Sequence, residues 1–413
     1  MTSSLDYLSE IHNSDSRNDI IWRTILAELS MNVTVEGNVS EGFERVADVF
    51  ADLWKDIEVG ASCCVFHEGK KVVDIWGGYI DREMTVPWQS DTLINVYSTT
   101  KGMGSLALAI LFDEGLIDYD EKVITYWPEF GAEGKQDVTV AQLLSHQAGL
   151  CGVDQKLLVE DLYDFPKMTN LLAAQKPLWE PGTAVGYHAI TWGYFPGELI
   201  RRITGQSLGS YFHGKVASPL KADFFIGIPE SQISRCGVLM GPNRARKKIK
   251  RVEPPNSSKF YSSALLNPSI APYRHASTND WRRAEIAAAN GQANARGIGT
   301  IYGALANQGY LDGNRIISSE AIVASTKVEV DGKIDNVLGT RVRRARGFML
   351  NLDKSYGPYE GSFGHGGAGG SLGFADPLNK VGFGYAMNQM EVGNTETPRS
   401  LKLVNSFYQC IGQ

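Results

Sequence analysis

The chain has 413 residues, of which 43% are hydrophobic and 21% are charged, and its formal net charge at pH 7 is −6. This composition is typical of a globular protein with a sizeable core, and the acidic balance argues against a general nucleic-acid binder. The cysteines show no metal-ligand spacing, so we expect free thiols in a reducing compartment. They are Cys63, Cys64, Cys151, Cys236 and Cys410.

Residues 1–40 are polar and are predicted to form an extension ahead of a catalytic domain over residues 41–413. The extension has no basic stretch followed by an apolar one, and the chain has no apolar run of about 18 residues. We therefore expect a cytoplasmic protein without a signal peptide or membrane span.

The first half of the chain alternates between strand and helix patterns. A helix is predicted over residues 41–57, followed by a hairpin over residues 61–76 with a turn around Gly69. An apolar helix then begins near Ser98 and ends at Gly115, since a glycine just past a helix end readily takes the left-handed conformation. Further helices are predicted over residues 139–149, 157–175, 192–204 and 294–307.

Residues 225–290 contain several prolines and are predicted to form an insertion over the functional site, as a lid or substrate wall. The insertion includes a basic run over residues 244–251. We interpret this run as a solvated loop, with a targeting or anion-binding role as the alternative.

The end of the chain is rich in strand patterns and closes with a helix. Strands at both ends with helices between them predict an α/β fold, in which one mixed or antiparallel sheet is built from both termini and flanked by helices. We place the sheet lobe at residues 41–97 and 291–413 and a mostly helical lobe at residues 98–290. The predicted C-terminal strands cover residues 347–352, 361–365, 370–375 and 381–387, and the final helix covers residues 401–410.

The start of the apolar helix carries the pattern Ser-x-x-Lys, at Ser98 and Lys101. Side chains three positions apart are neighbours on a helix, and free N–H groups at a helix N-terminus favour negative charge. A lysine acts as a base for a serine only when it is partly neutral, which burial and a nearby cation favour. Because the same pattern also arises as a helix cap followed by a solvated lysine, it does not establish catalysis alone.

Two further motifs follow in order, Tyr187-His188-Ala189 and His365-Gly366-Gly367-Ala368. Together the three motifs resemble the serine β-lactamase and penicillin-binding-protein superfamily. The resemblance is closest to the branch that contains class C β-lactamases and the family VIII carboxylesterases, and it covers about residues 42–410.

The resemblance implies a role for each motif. Ser98 would accept the acyl group, and Lys101 and Tyr187 would share the roles of general base and general acid. The backbone N–H groups of Ser98 and Ala368 would form the oxyanion hole. No cofactor or metal is expected. Residues expected to contact a small-molecule ester substrate are Tyr97, His188, His365, Gly366 and Gly367.

Two departures from the β-lactamase pattern bear on the substrate. β-Lactamases usually carry Lys-Thr-Gly at the third motif, where this chain has His365-Gly366-Gly367. They carry Tyr-x-Asn at the second motif, where this chain has Ala189 in the last place. The missing lysine and threonine normally bind a substrate carboxylate, and the missing asparagine holds a side-chain amide. The sequence therefore predicts a serine hydrolase acting on neutral esters of small or medium acyl groups.

Three other functions stay open at this point. An acyltransferase of the same fold would pass the acyl group to a secondary-metabolite alcohol or amine, and the motifs do not separate it from a hydrolase. β-Lactamase or D-Ala-D-Ala peptidase activity is disfavoured by the third motif. A non-catalytic binding protein is disfavoured by the intact Ser98, Lys101 and Tyr187.

A second serine motif requires a separate interpretation. Gly369-Gly370-Ser371-Leu372-Gly373 fits Gly-x-Ser-x-Gly, the nucleophile elbow of α/β-hydrolases. That elbow needs a strand, a sharp turn and then a helix. Here Pro377 and another strand pattern follow, so we interpret Ser371 as part of a glycine-rich strand and not as the nucleophile.

Overall fold

The computed structural model describes residues 33–55, 58–242, 259–391 and 397–413. The basic run at residues 244–251 and most of the predicted N-terminal extension lie outside the described residues. In chain order the strands are β1 (Val35–Val39), β2 (Gly60–His67), β3 (Lys70–Gly78), β4 (Ile94–Asn95), β5 (Phe224–Phe225), β6 (Gln292–Ala293), β7 (Tyr310–Leu311), β8 (Asn314–Arg315), β9 (Val330–Ile334), β10 (Arg341–Arg344), β11 (Met349–Leu350), β12 (Phe363–Gly366), β13 (Leu372–Asp376) and β14 (Val381–Met387).

The α-helices lie mainly between the two groups of long strands. They are α1 (Glu44–Asp52), α2 (Thr99–Asp113), α3 (Val140–Leu144), α4 (Phe165–Ala174), α5 (Tyr194–Thr204), α6 (Leu208–Phe212), α7 (Lys259–Leu265), α8 (Pro272–His275), α9 (Asn279–Arg283), α10 (Ala295–Ala306), α11 (Ser319–Ser325) and α12 (Pro398–Cys410). None of the described helices is long and apolar enough to cross a membrane.

The main sheet of the described residues has nine strands, in the order β1-β3-β2-β14-β13-β12-β11-β10-β9. Every pairing in it is antiparallel. The two ends of the chain meet where β2 pairs with β14, from Val381 opposite His67 to Met387 opposite Ala61. The predicted α/β fold, with an antiparallel sheet built from both termini, is confirmed.

Helices cover both faces of this sheet. The helices α1 and α12 bury Val46, Phe50 and Phe407 against one face. On the other face lie α10 and the apolar helix α2. From Thr99 to Leu111 every residue of α2 is buried, as expected for a helix that is apolar around its whole circumference. Gly115 has a φ of +70° and follows the helix end as predicted.

Several local predictions are corrected by the structure. Residues 35–39, which we assigned to the extension, form the edge strand β1, and their pairing with β3 outweighs a polar local sequence. The predicted helix over residues 157–175 is a 3₁₀ turn at Glu160–Tyr163 followed by α4, with Pro166 in the first turn of α4. The hairpin β9–β10 and the helix α11 had no counterpart in the sequence analysis.

A small second sheet brings the region before Ser98 next to the ends of the predicted insertion. Its strand β6 pairs with both β4 and β5. The chain therefore leaves this sheet at residue 225 and returns to it at residue 292, beside the strand that leads into α2. The division into a sheet lobe and a helical lobe remains a prediction.

Candidate active site

The turn before α2 brings Ser98 to the surface of an otherwise buried segment. Every other residue from 92 to 111 is buried, whereas Ser98 is partly exposed. Tyr97 has a φ of +44°, a left-handed conformation that is rare for a bulky residue and is often found at functional sites. The conformation is held because the Thr100 hydroxyl donates a hydrogen bond to the Tyr97 carbonyl, and the Val96 N–H donates one to the Gly291 carbonyl.

Ser98, Lys101 and Tyr187 come together around one oxygen atom. The Tyr187 hydroxyl lies 2.7 Å from Ser98 Oγ, and Lys101 Nζ lies 3.2 Å from the same atom. Lys101 Nζ also lies 4.7 Å from the centroid of the Tyr187 ring. Two groups that can exchange a proton with Ser98 are thus within hydrogen-bond distance of its hydroxyl, as a serine nucleophile requires.

Lys101 is fully buried, and its amine is held by two backbone carbonyls. Nζ donates hydrogen bonds to the Ala189 oxygen at 2.8 Å and to the Ala288 oxygen at 2.9 Å. Burial holds the pKa of Lys101 well below the ordinary lysine value, and the positive charge of Arg344 lowers it further. A neutral amine that donates both N–H groups to these carbonyls keeps its lone pair for the third direction, toward Ser98.

Tyr187 is held by residues that the sequence analysis did not identify. Asp335 Oδ1 accepts a hydrogen bond from the Tyr187 N–H at 3.0 Å. The guanidinium carbon of Arg344 lies 5.2 Å from the centroid of the Tyr187 ring. Asp335 and Arg344 belong to the hairpin β9–β10, which gave no sequence signal, so neither could be linked to Tyr187 in advance.

The third motif runs along β12 and into a tight turn beside Ser98. Gly367 packs so closely that a Cβ there would lie 2.2 Å from both the Val96 oxygen and Ser371 Oγ. Only glycine fits at this position. Because Gly367 packs so closely against Val96, the next residue, Ala368, lies beside the turn that carries Ser98. Ala368 is the one partly exposed residue between 362 and 376. The two buried segments thus reach solvent at Ser98 and at Ala368.

The backbone N–H groups of Ser98 and Ala368 are available as donors. In the ranges that the structure describes, neither N–H donates a hydrogen bond to a protein acceptor. Both N–H groups belong to partly exposed residues, so they can donate hydrogen bonds to the oxyanion that forms from a substrate carbonyl.

His365 is buried next to these groups. Its Nδ1 bonds to the Gly366 oxygen at 2.6 Å, which leaves Nε2 without a hydrogen-bond partner among the described residues. Burial lowers the pKa of His365 well below its usual value, and the charge of Lys101 lowers it further. The imidazole is therefore neutral and supplies no positive charge for a substrate carboxylate.

Ser371 has a structural environment. It is buried, its hydroxyl donates to the Val96 oxygen at 2.8 Å, and it lies 3.0 Å from Thr99 Oγ1. The strand β13 follows it directly, so no nucleophile elbow is present. Its hydroxyl fastens the third motif to the turn that carries Ser98.

Two residues expected to bind substrate have other partners. Both ring nitrogens of His188 are engaged, because Nε2 accepts a hydrogen bond from the Leu150 N–H and Nδ1 bonds to the Gly186 oxygen. Burial lowers the pKa of His188 to about 3. The Tyr97 hydroxyl donates to the Pro272 oxygen and is likewise occupied. Both side chains thus hold backbone segments in place, and the assignment of either to substrate binding stays a prediction.

Two further features of the site are a cavity beside Tyr187 and the lack of a metal-binding group among the described residues. Tyr187 borders a cavity of about 270 Å³, whose apolar wall includes Leu338, Met349 and Leu350. Within the described part of the chain, no group of three or more His, Cys, Asp or Glu side chains could hold a metal ion.

Comparison with known proteins gives a consistent result. The β-lactamase family profile matches residues 46–405. The chain is 34% identical over 376 residues to the Esterase/beta-lactamase LipL of Mycobacterium tuberculosis, covering 86% of this chain and 83% of that protein. A crystal structure of a family VIII carboxylesterase is 46% identical with a TM-score of 0.86, covering 91% of this chain and all of the other. A penicillin-binding-protein homologue from Caulobacter crescentus has 37% identity and the same TM-score and covers 91% of this chain and 100% of its own.

Proposed function

Because this chain belongs to the β-lactamase family and is a serine hydrolase with that fold, we propose that it cleaves carboxylic esters of small or medium acyl groups through an acyl-enzyme on Ser98. The observation that carries the proposal is the contact of Ser98 Oγ with both Tyr187 and Lys101, at 2.7 and 3.2 Å. A serine hydroxyl becomes a good nucleophile when a neighbouring base removes its proton.

The first half of the reaction follows from this contact. As Ser98 Oγ attacks the ester carbonyl, its proton passes to Tyr187 and Lys101, acting together as the base. The carbonyl oxygen becomes an oxyanion that accepts hydrogen bonds from the N–H groups of Ser98 and Ala368. When the tetrahedral intermediate collapses, Tyr187 returns the proton to the departing alcohol, and the acyl group remains on Ser98.

In the second half a water molecule replaces the alcohol. The same base takes one proton from the water as its oxygen attacks the acyl carbonyl, and Ser98 Oγ leaves with that proton. The product is the carboxylic acid, and the enzyme returns to its starting protonation state. The oxyanion hole acts in both halves of the reaction. Loss of one of its N–H donors typically raises the activation barrier by about 3 kcal/mol.

The environment of Lys101 supports its role as a base. When Lys101 is neutral, its two N–H groups can be donated to the two carbonyls, which leaves its lone pair for Ser98 Oγ at 3.2 Å. The depressed pKa of Lys101 gives it a larger neutral fraction at any given pH than an exposed lysine has.

The preference for neutral esters is supported by the third motif. His365 replaces the lysine that binds a carboxylate in β-lactamases, and burial keeps its imidazole neutral. The relatives described above include proteins named as an esterase and as a carboxylesterase.

The test is to measure the intact mass of the protein after brief incubation with p-nitrophenyl butyrate, for wild type and Ser98→Ala. We expect a transient butyryl adduct on the wild type alone. Full esterase activity in Ser98→Ala would refute the proposal. If added alcohols shorten the life of the adduct and form new esters, the protein is an acyltransferase of the same mechanism. Turnover of the β-lactam nitrocefin as fast as that of the ester would refute the substrate assignment.

A further inference from the structure

A buried ion pair lies directly behind Tyr187. Arg344 Nη2 donates to Asp335 Oδ2 at 2.8 Å, and the two side chains are only 2% and 0% exposed. Taking two charges out of water is costly, and a buried pair often contributes nothing to net stability. The pair lies next to Tyr187, a candidate catalytic residue, so a role in the reaction explains it better than a contribution to stability does.

Asp335 fixes the backbone of the Tyr187 segment. Its Oδ1 accepts hydrogen bonds from the N–H groups of Tyr187, Val337 and Leu338, at 3.0, 2.9 and 2.9 Å. The next residue, Asn336, donates its N–H to the Val185 oxygen at 2.9 Å. The end of the hairpin β9–β10 thus fastens the chain on both sides of residue 186, and the position of the Tyr187 hydroxyl depends on this attachment.

Arg344 brings a positive charge to the same place. Its guanidinium carbon is 5.2 Å from the Tyr187 ring centroid, while Lys101 Nζ is 4.7 Å from that centroid. Nε and Nη1 of Arg344 have no hydrogen-bond partner among the described residues. Asp335 therefore pairs with only one nitrogen of the guanidinium group. The positive charge of the group still acts on Lys101 and on the Tyr187 ring.

Among the described residues, Arg341 and Arg343 also border the cavity beside Tyr187, but Arg341 is exposed and Arg343 is partly exposed, whereas Arg344 is buried. The other titratable and charged groups near Lys101 or Tyr187 in the described part of the chain include His146, His188, His365, Asp335, Asp353 and Arg344. Burial lowers the pKa of each of the three histidines, so they are neutral near pH 7. The carboxylate of Asp335 is occupied by Arg344 and the three N–H groups.

We propose that Asp335 and Arg344 are positioning residues that hold Tyr187 against Ser98 and place a fixed positive charge beside Lys101 and Tyr187. This inference rests on the proposed function, since it assigns these residues a role in the reaction proposed there. The charge disfavours the ammonium form of Lys101, so Lys101 remains able to accept a proton at lower pH than it could without Arg344. The lowered pKa of Lys101, to which Arg344 contributes after burial, agrees with this role.

The experiment compares the pH dependence of kcat/KM for ester hydrolysis in Arg344→Met and Arg344→Lys. Loss of the charge in Arg344→Met should move the acid limb up by about one to two pH units, so kcat/KM on that limb should fall about tenfold or more at a given pH. Arg344→Lys keeps the charge, so its acid limb should stay close to that of the wild type. If Arg344→Met does not fold, Arg344→Gln replaces it in the same comparison.

Arg346→Met is the matched control. Arg346 is also a buried arginine, paired with Asp120 and Glu329, and its guanidinium carbon lies 5.2 Å from the centroid of the Tyr119 ring. Its replacement removes the same kind of charge away from Ser98, so we expect a lower melting temperature and an unmoved acid limb. An acid limb that shifts equally in Arg344→Met and Arg346→Met would overturn the inference.

Two further results separate this inference from the proposed function. If Ser98→Ala is inactive and folded Arg344→Met keeps the wild-type acid limb, only the role of Arg344 is refuted. If Ser98→Ala remains active, the proposed acyl-enzyme itself is wrong. Asp335→Asn adds a test of position: the neutral amide weakens the hold on Arg344 and on the Tyr187 N–H, so kcat should fall while KM changes little.

Discussion

Replacing Gly367 by alanine tests the oxyanion turn directly. The new Cβ would lie 2.2 Å from the Val96 oxygen and 2.2 Å from Ser371 Oγ, whereas ordinary contacts begin near 3.4 Å. The Ser371 side chain could rotate away only by giving up its hydrogen bond to Val96. The Val96 oxygen is backbone and leads into Ser98, so the turn carrying Ala368 has to move by about 1 Å.

A displacement of this size is large for a catalytic hydrogen bond. A misplacement of about 1 Å can cost roughly 100-fold in rate, and loss of one oxyanion donor about 100- to 1000-fold. We therefore expect Gly367→Ala to lower kcat/KM for p-nitrophenyl butyrate about 100-fold, mainly through kcat. Gly367 is not among the glycines with positive φ, so the effect comes from steric overlap and not from backbone conformation.

The assay is an initial-rate measurement with a melting curve for each variant. Gly214→Ala is the control, because a Cβ at residue 214 meets no atom within 4 Å and its φ is not positive. The reasoning would be refuted if folded Gly367→Ala kept kcat/KM within about threefold of wild type. A rise in KM with unchanged kcat would assign the turn to substrate binding instead of to the transition state.

The other predictions concern the proton-transfer groups and the second serine. Tyr187→Phe removes only the hydroxyl that lies 2.7 Å from Ser98 Oγ, so kcat should fall about 100- to 10,000-fold with little change in melting temperature; an unchanged kcat would exclude Tyr187 from proton transfer. Because protonated Lys101 has no lone pair and its pKa is depressed, kcat/KM should rise with pH and level off well below the ordinary lysine pKa of about 10.4; an acid limb centred near that value would contradict the buried amine. Ser371→Ala should still be labelled by a fluorophosphonate probe while its melting temperature falls by a few degrees, and loss of labelling in Ser371→Ala but not in Ser98→Ala would make Ser371 the nucleophile.

The contact between Ser98 and Lys101 could be predicted because it is local. Residues three apart on a helix are neighbours whatever the rest of the fold does, and the apolar run after Lys101 marked the helix. The strand β14 was also predicted with the bounds that the structure has, since Val381–Met387 is a run of apolar residues and glycines next to a turn. Tyr187 could be identified only through the order of the three motifs.

The remaining parts of the site depend on contacts between distant residues. Asp335 and Tyr187 are 148 positions apart, and each belongs to a segment whose own sequence gives no hint of the other. The strand β9 is exposed over four of its five residues and carries no alternating apolar pattern. The partners of His188, the Leu150 N–H and the Gly186 oxygen, could not be predicted either, because Leu150 lies 38 positions away in the chain.

The pairing of β2 with β14 has a consequence for the synthesis of this protein. The three strands near the N-terminus are complete by residue 78, but the second partner of β2, the strand β14, is not complete until residue 387. In the meantime the backbone of β2, Gly-Ala-Ser-Cys-Cys-Val-Phe-His, has one unpaired edge with apolar side chains, a template for association with other chains. We therefore expect this edge to remain open to association until β14 has been synthesised, and to remain open in any shortened product that ends before β14.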